Sequence, residues 1–183
     1  MSPIIATGGD TKTFTPAPEG THQAVCVDVI DKGMQPNKFK DGALQRKIDI
    51  AWQITELRDD GKRFVVYKRY TLSLNDKATL RHDLESWRGR KFTRDEEMGF
   101  DVETVIGHNC LINVQHKAGT QDPNKVFANV VSVMPLLKGM PKLVADGYER
   151  VVTQPTGQPA TNGAGVDVDE PEPPPLTDDD IPF

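Results

Sequence analysis

The sequence has few of the features that mark secreted, membrane-spanning or disulfide-bonded proteins. It contains two cysteines in 183 residues and no apolar run near the roughly 18 residues of a membrane span. Residues 1–15 lack the basic start and apolar stretch of a secretory signal. We therefore expect a cytoplasmic protein with no membrane partner. Cys26 and Cys110 lie in apolar, strand-like segments and should be reduced thiols in the core.

Common catalytic and metal-binding motifs are also missing. The sequence has no Gly-x-x-x-x-Gly-Lys phosphate loop, no His-Glu-x-x-His and no Cys-x-x-Cys. The four histidines are scattered, and His108 with Cys110 is too small a set for a metal site. Asp49 and Glu56 would serve a metal-dependent nuclease only with a lysine placed close to them. The pattern favours a protein that is not an enzyme and uses no metal or other cofactor.

Basic residues are missing from the last part of the chain. Residues 151–183 hold seven acidic side chains, seven of the 14 prolines and no Lys or Arg. Because the whole chain has 22 basic and 27 acidic residues, its net charge of −5 divides into +2 for residues 1–150 and −7 for residues 151–183. Such a segment buries too little apolar surface to offset its ordering entropy, which predicts a disordered acidic tail. The body remains compatible with a nucleic-acid partner.

Apolar residues alternate with a period of two in five segments, which predicts five strands. Trp52 shares its parity with three isoleucines, so we expect it in the core. The first strand should end near Gly33, residues 34–45 should form a loop, and Asp59–Lys62 is typical of a hairpin turn. The segments are Val25–Val29, Ile48–Ile54, Phe64–Leu74, Cys110–His116 and Phe127–Met134.

A helix is predicted between the third and fourth strands. Leu80, Leu84 and Trp87 stand at i, i+4 and i+7 and give one apolar stripe. Ser73 or Asn75 is the expected N-cap, and Gly89 should follow the last turn. Thr93-Arg94-Asp95-Glu96 has the spacing of a capping box for a second, short helix.

Three strands, a helix and two returning strands are the element order of the OB-fold. This five-stranded barrel binds ligands with its second and third strands and nearby loops, although several small α+β folds share the order. The sequence therefore predicts a mainly β chain with a helical insertion. We expect a flexible N-terminal arm over residues 1–20, an OB-fold domain over residues 21–150 and the tail over residues 151–183.

Cations and aromatic residues are interleaved between Lys62 and Arg94, where ten Lys and Arg stand against three acids. A cationic groove with stacking side chains is a sequence-tolerant way to hold single-stranded nucleic acid. The alternative is a solvated basic helix face. Lys38-Phe39-Lys40 places an aromatic residue between two cations in the loop after the first strand. In an OB-fold this loop would overhang the binding face. The candidate DNA-binding residues are Lys38, Phe39, Lys40, Arg46, Tyr67, Lys68, Arg69, Tyr70, Arg88, Arg90 and Lys91.

The third strand divides these candidates by parity. Tyr67 and Arg69 share one face and Lys68 and Tyr70 the other, which carries more apolar neighbours. We favour Tyr67 and Arg69 as outward. Lys68 and Tyr70 stay as candidates because an edge or a bulge would reverse the assignment.

The sequence ends in Asp178-Asp179-Asp180-Ile181-Pro182-Phe183, an acidic string followed by an apolar tip. Such a peptide suits a shallow apolar pocket rimmed by Lys or Arg on a partner protein. The six residues resemble the C-terminal tip of bacterial single-stranded DNA-binding proteins. The resemblance implies that these six residues dock replication, recombination and repair proteins of a bacterial host.

The body resembles a group of phage-encoded proteins suspected of binding single-stranded DNA with an OB-fold. The similarity rests on Tyr70–Leu74, Leu80-Arg81, Leu84–Thr93 and Phe127–Val133. Together the two resemblances imply a phage or prophage protein of the bacterial cytoplasm or nucleoid. It would bind and protect single-stranded DNA in replication, recombination and repair. The alternatives are a recombination mediator or strand-annealing protein, a small phage nuclease, and a pure protein adaptor; the oligomeric state is left open.

Overall fold

A computed structural model describes residues 15–37, 42–119 and 125–151. Within these residues the chain is mainly β, as predicted, with five antiparallel strands in one sheet and few helices. The predicted flexible arm up to residue 14 and the predicted tail from residue 152 lie outside the described residues. The strands are β1 (Gly20–Pro36), β2 (Leu44–Leu57), β3 (Arg63–Thr71), β4 (Asn109–Ala118) and β5 (Val126–Pro135). The α-helices of the described residues are α1 (Thr79–Arg88) and α2 (Arg94–Met98), and a 3₁₀ helix spans Val102–Val105.

The strands follow the order β3-β2-β1-β4-β5 across the sheet. The two outermost strands approach each other, since Lys68 Nζ of β3 donates to the Val131 carbonyl of β5 at 3.2 Å. Helix α1 packs against both β3 and β5. The sheet therefore curls until its two edge strands, β3 and β5, meet beside α1.

Strand β1 is longer than predicted because it bends at a bulge and continues. The register with β2 shifts between Cys26 and Asp28, which leaves Val27 as the extra residue. Cys26 faces the main core before the bulge, and Val29 packs against that core after it. Simple alternation through Val25, Val27 and Val29 was wrong for this reason. Residues 34–36 and 44–45, predicted as loop, pair with each other in the β1–β2 hairpin.

Helix α1 begins later than predicted. Its N-cap is Ala78, which makes no side-chain cap, so the assignment of Ser73 or Asn75 was wrong. The Asn75 carbonyl instead accepts from the Ala78 amide in a turn before the helix. Gly89 ends α1 in the left-handed region at φ 67°, as predicted, and Thr93 with Glu96 forms the predicted capping box of α2.

The main core lies inside the curled sheet and under α1. Trp52, Leu80, Leu84 and Trp87 are buried there as predicted, and the two tryptophan rings lie 6.0 Å apart. Cys26 and Cys110 are buried free thiols, also as predicted. Burial raises the pKa of Cys26 to about 12, so the thiol stays protonated.

A second, smaller apolar cluster lies on the opposite side of the sheet. Val25, Val27 and Ala51 form its buried part, and Leu143 and Tyr148 pack on it. These last two belong to residues 141–151, which we call the strap; this segment follows β5 without regular secondary structure. The strap therefore covers part of the sheet surface that faces away from the main core.

Candidate nucleic-acid interface

The surface of β1–β3 that faces away from the main core, here called the outer face, is the candidate interface. Strand pairing arranges its side chains in rows across the three strands. Two rows lie against the strap, and two lie nearer the end of the β1–β2 hairpin. In order toward that end the rows are Val25, Gln53 and Val65; Asp28, Ala51 and Tyr67; Ile30, Asp49 and Arg69; and Gly33, Lys47 and Thr71.

Parity along β3 is as favoured from the sequence. Phe64, Val66, Lys68 and Tyr70 are buried, whereas Val65, Tyr67, Arg69 and Thr71 are half-buried on the outer face. The alternation persists because β3 pairs with β2 without a shift from Lys47–Thr71 to Gln53–Val65.

Lys68 and Tyr70 must be corrected as candidate DNA contacts, because both lie in the interior. The Lys68 ammonium is 2.7 Å from Asp83 Oδ2, and the Tyr70 hydroxyl donates to the same oxygen at 2.7 Å. Their side chains are 6% and 2% exposed, so neither offers a surface to a strand in this fold. Burial and the neighbouring Asp83 carboxylate raise the pKa of Tyr70 well above its usual value. The three side chains join β3 to α1.

Arg69 lies on the outer face in a two-point ion pair. Its Nε and Nη2 donate to the two carboxylate oxygens of Asp49 at 2.8 and 2.9 Å. The ion pair partly neutralises the arginine charge. Because the arginine side chain is 19% exposed, this charge still reaches the surface. In the next row Lys47 Nζ donates to Thr71 Oγ1 at 2.6 Å. Lys47 was not among the predicted residues, although its parity with Asp49 in the clearest predicted strand could have placed it there.

Tyr67 lies on the outer face beneath the strap. It packs in the second apolar cluster with Leu143 and Tyr148. Burial, and then the neighbouring Tyr67 and Asp28, raise the pKa of the Tyr148 hydroxyl. The predicted stacking side chain is therefore partly covered by the chain itself.

Arg46 lies at the side of the β1–β2 hairpin. It is exposed and forms an ion pair with Asp31, with Nε to Oδ2 at 3.0 Å. This pair and the Gly33 amide lower the pKa of Asp31. The predicted Lys38, Phe39 and Lys40 lie outside the described residues. On the described side of this gap, the Asn37 amide donates to the Ala43 carbonyl at 2.8 Å.

Arg88 and Arg90 lie at the end of α1, away from the outer face, and both pair with Glu96 of α2. Arg90 reaches the two carboxylate oxygens of Glu96 at 2.8 and 2.9 Å. Arg88 also lies over the Phe92 ring, 4.6 Å from its centre. The arginine contacts and the capping bond from Thr93 hold the pKa of Glu96 well below its usual range. Lys91 is exposed beside this network.

Ion pairs involve at least five of the ten cations between Lys62 and Arg94 and so reduce the basic excess of this segment. Lys68, Arg69 and Arg81 each contact carboxylates, as do Arg88 and Arg90. Several of those acids, including Asp49 and Glu96, lie just outside the segment in the sequence. The structure therefore does not gather the predicted cations into one groove: it brings Tyr67 and Arg69 together and leaves Arg88, Arg90 and Lys91 at another site.

Asp28 and Gln53 are outer-face residues that the sequence reasoning missed. Asp28 is fully buried and accepts from the Tyr148 hydroxyl, Arg150 Nε and the Val151 amide at 3.2, 3.1 and 2.7 Å. Gln53 is 3% exposed and exchanges two hydrogen bonds with the backbone of Asp146. A polar residue inside an apolar strand pattern was the available signal for both.

No model of a known protein family matches this sequence, and no curated protein matches it either. In the described ranges no helix is long and apolar enough to span a bilayer. Within the same ranges no three His, Cys, Asp or Glu side chains are grouped closely enough to hold a metal ion. The predicted tip, Asp178–Phe183, lies outside the part of the chain that the structure describes.

Proposed function

We propose that this chain is a single-stranded DNA-binding protein with an OB-fold body. The observation that carries the proposal is the strand order β3-β2-β1-β4-β5 with β3 and β5 meeting beside α1. In an OB-fold the barrel closes between the third and fifth strands, and a helix between the third and fourth strands covers one end. The order of the elements along the chain and the order of the strands across the sheet thus both agree with an OB-fold.

The strand-binding surface in this proposal is the outer face near the end of the β1–β2 hairpin. Lys47, Thr71 and Arg69 supply donors for phosphate oxygens in two adjacent rows. Lys38, Phe39 and Lys40 stand between β1 and β2 in the sequence, and in this proposal their cations and ring also contact the strand. Because contacts to phosphate oxygens carry no direct sequence information, binding through this cationic surface should depend little on base sequence.

The acidic tail supplies the second half of the proposal. Its charge of −7 and its apolar ending suit a basic, apolar pocket on proteins of replication, recombination and repair. The body would hold the strand while residues 178–183 recruit these partners. Docking through the tip does not require the outer face, so both activities can operate together.

A gel-shift assay of the full chain with labelled oligothymidine and with a duplex of equal length tests this function. We expect the single strand to be retarded at lower protein concentration than the duplex. Product analysis of the same mixtures with Mg²⁺ should show intact DNA. No retardation of either DNA would favour a protein adaptor, and cleavage with Mg²⁺ would favour a nuclease.

A further inference from the structure

The strap is held on the outer face by two different kinds of contact. Residues 141–146 are held by neutral hydrogen bonds between side chains of the sheet and the backbone of the strap. One charged donor adds to these bonds, because Arg63 donates to the Val144 carbonyl at 2.7 Å. Residues 148–151 are bound through the buried carboxylate of Asp28. The two halves therefore differ in how strongly they should resist release.

The first half has little buried surface. Val144 is 76% exposed, and Lys142, Ala145 and Asp146 are also exposed; Leu143 packs on the second apolar cluster. The backbone of this half pairs with no strand. Segments with few buried apolar contacts and no strand pairing open at low cost.

The second half is anchored more firmly. Asp28 is fully buried and receives three donors from the strap, one of them the charged Arg150, which also contacts Glu103 at 2.8 Å. Releasing these donors would remove the charged partner of a buried carboxylate and leave it with the Val29 amide at 2.9 Å, which is strongly unfavourable. If the three strap donors stay in place, the negative charge of Asp28 also stays paired when a polyanion binds nearby.

The contacts of the first half have the form of base recognition. The Gln53 carboxamide donates to the Asp146 carbonyl at 2.7 Å and accepts from its amide at 2.9 Å. Asn109 makes the same pair with Leu143, at 2.9 and 2.6 Å. Each carboxamide thus faces a donor and an acceptor side by side, as it would on the edge of a nucleobase.

We propose that residues 141–146 occupy part of the strand-binding surface and are displaced by the strand, while residues 148–151 stay on Asp28. Displacement exposes the row of Val25, Gln53 and Val65 as a second contact surface, separated from the rows of Arg69 and Lys47 by the row of Asp28, Ala51 and Tyr67, which stays under residues 148–151. Gln53 and Asn109 then contact bases in place of the strap backbone. This inference rests on the proposed function and specifies how its site opens.

Three backbone amides report on the two halves separately. The amides of Leu143 and Asp146 donate to Asn109 and Gln53, and the amide of Val151 donates to Asp28. Amide hydrogen exchange of the ¹⁵N-labelled full chain should be followed by NMR with and without saturating oligothymidine. We expect faster exchange at Leu143 and Asp146 and unchanged exchange at Val151.

The outcomes separate this inference from the proposed function. If oligothymidine binds and Leu143 and Asp146 exchange at the same rate or more slowly, the strap is a fixed part of the fold and the inference fails. If Val151 is also released, the anchor on Asp28 is wrong. If oligothymidine does not bind at all, the proposed function itself fails.

A matched pair of variants tests the competition by affinity. Leu143→Ser removes the side chain that packs on the sheet, whereas Leu137→Ser changes an exposed leucine before the strap. Weakening a cover that competes with DNA raises the fraction of binding-competent protein. We expect Leu143→Ser to tighten oligothymidine binding about two- to fivefold and Leu137→Ser to leave it unchanged. Weaker binding by the folded Leu143→Ser protein would overturn the proposal.

Discussion

Lys68 and Arg69 are neighbours in sequence, and the pleat of β3 gives them opposite roles. Lys68 faces inward and is paired with Asp83 at 2.7 Å, while Arg69 faces outward and is paired with Asp49. Period-two alternation was enough to predict which of the two points outward. It could not predict the partners, because Asp49 lies on another strand and Asp83 on a helix.

Replacing Lys68 by Met is expected to destabilise the fold rather than remove a DNA contact. The change leaves the Asp83 carboxylate with the Tyr70 hydroxyl in a mostly buried site, and breaking such a pair costs about 3–5 kcal/mol. Urea unfolding followed by circular dichroism should show the loss, and Lys62→Met, at an exposed lysine, should show almost none. Normal stability with weakened DNA binding would contradict the interior role of Lys68.

Glu96 should make the stability of the α1–α2 region depend on acidity. Folding lowers the pKa of Glu96 below its ordinary value of 4.5. The contribution of Glu96 to the free energy of unfolding is therefore present above about pH 4.5 and is lost as the pH falls toward the pKa of the folded state. The difference in urea midpoint between the wild type and Glu96→Gln should therefore be largest near pH 7 and shrink below pH 4. A difference that stays constant from pH 7 to pH 3 would show that the Glu96 charge is not responsible.

At the scale of elements, the strap covers part of the outer face, and the rows toward the end of the β1–β2 hairpin lie beyond it. Alternation predicted that β1 and β2 exist but missed the bulge and the full length of β1, and turn residues predicted the connection between β2 and β3 at Asp59–Lys62. The strap was ambiguous in sequence because its contacts join distant residues, such as Gln53 and Asp146, 93 positions apart. The start of α1 was also missed, because Ala78 provides no side-chain signal.

Lys47 is a direct probe of the rows nearest the end of the β1–β2 hairpin, where its ammonium donates to Thr71 Oγ1 at 2.6 Å. We expect Lys47→Gln to weaken oligothymidine binding severalfold at low salt and to reduce the log–log salt slope by about 0.7, the value of one phosphate contact. Lys138→Gln, at an exposed lysine before the strap, is the control. Equal effects of the two variants would place the strand elsewhere.

The loop between β1 and β2 should respond to the same ligand. Lys38 and Lys40 flank Phe39 in a Pro-, Asn- and Gly-containing stretch of the sequence. We expect saturating oligothymidine to protect the trypsin sites at Lys38 and Lys40. Cleavage at an unchanged rate would mean that this loop does not contact the strand.

For the whole molecule, charge is divided between a body of +2 and a tail of −7. A flexible chain of about thirty residues has a root-mean-square reach near 30 Å, so a tail that is disordered, as its composition predicts, would bring its acidic tip back to the body. Composition alone predicted this division. It could not predict how the body's cations are arranged, because their pairing depends on the fold.

Deleting residues 178–183 should tighten binding of single strands modestly at low salt, because the tip then no longer competes with DNA. The gain should vanish as salt screens the attraction. Phe183→Ala, which keeps every acidic charge, should leave DNA affinity nearly unchanged and remove most of the docking to host proteins, because the ring supplies apolar burial. Fluorescence titration and pull-down of purified partners measure the two effects. Full partner binding by Phe183→Ala would show that the apolar tip is not the docking element.

The most direct test of strand binding by the outer face is a titration of the full chain with fluorescent oligothymidine at several salt concentrations. If about four to six phosphates are contacted, the log–log slope of affinity against salt should lie near −3 to −4, at about −0.7 per phosphate. The same titration with duplex should give weaker binding at every salt concentration. A flat salt response, or a preference for duplex, would contradict the account.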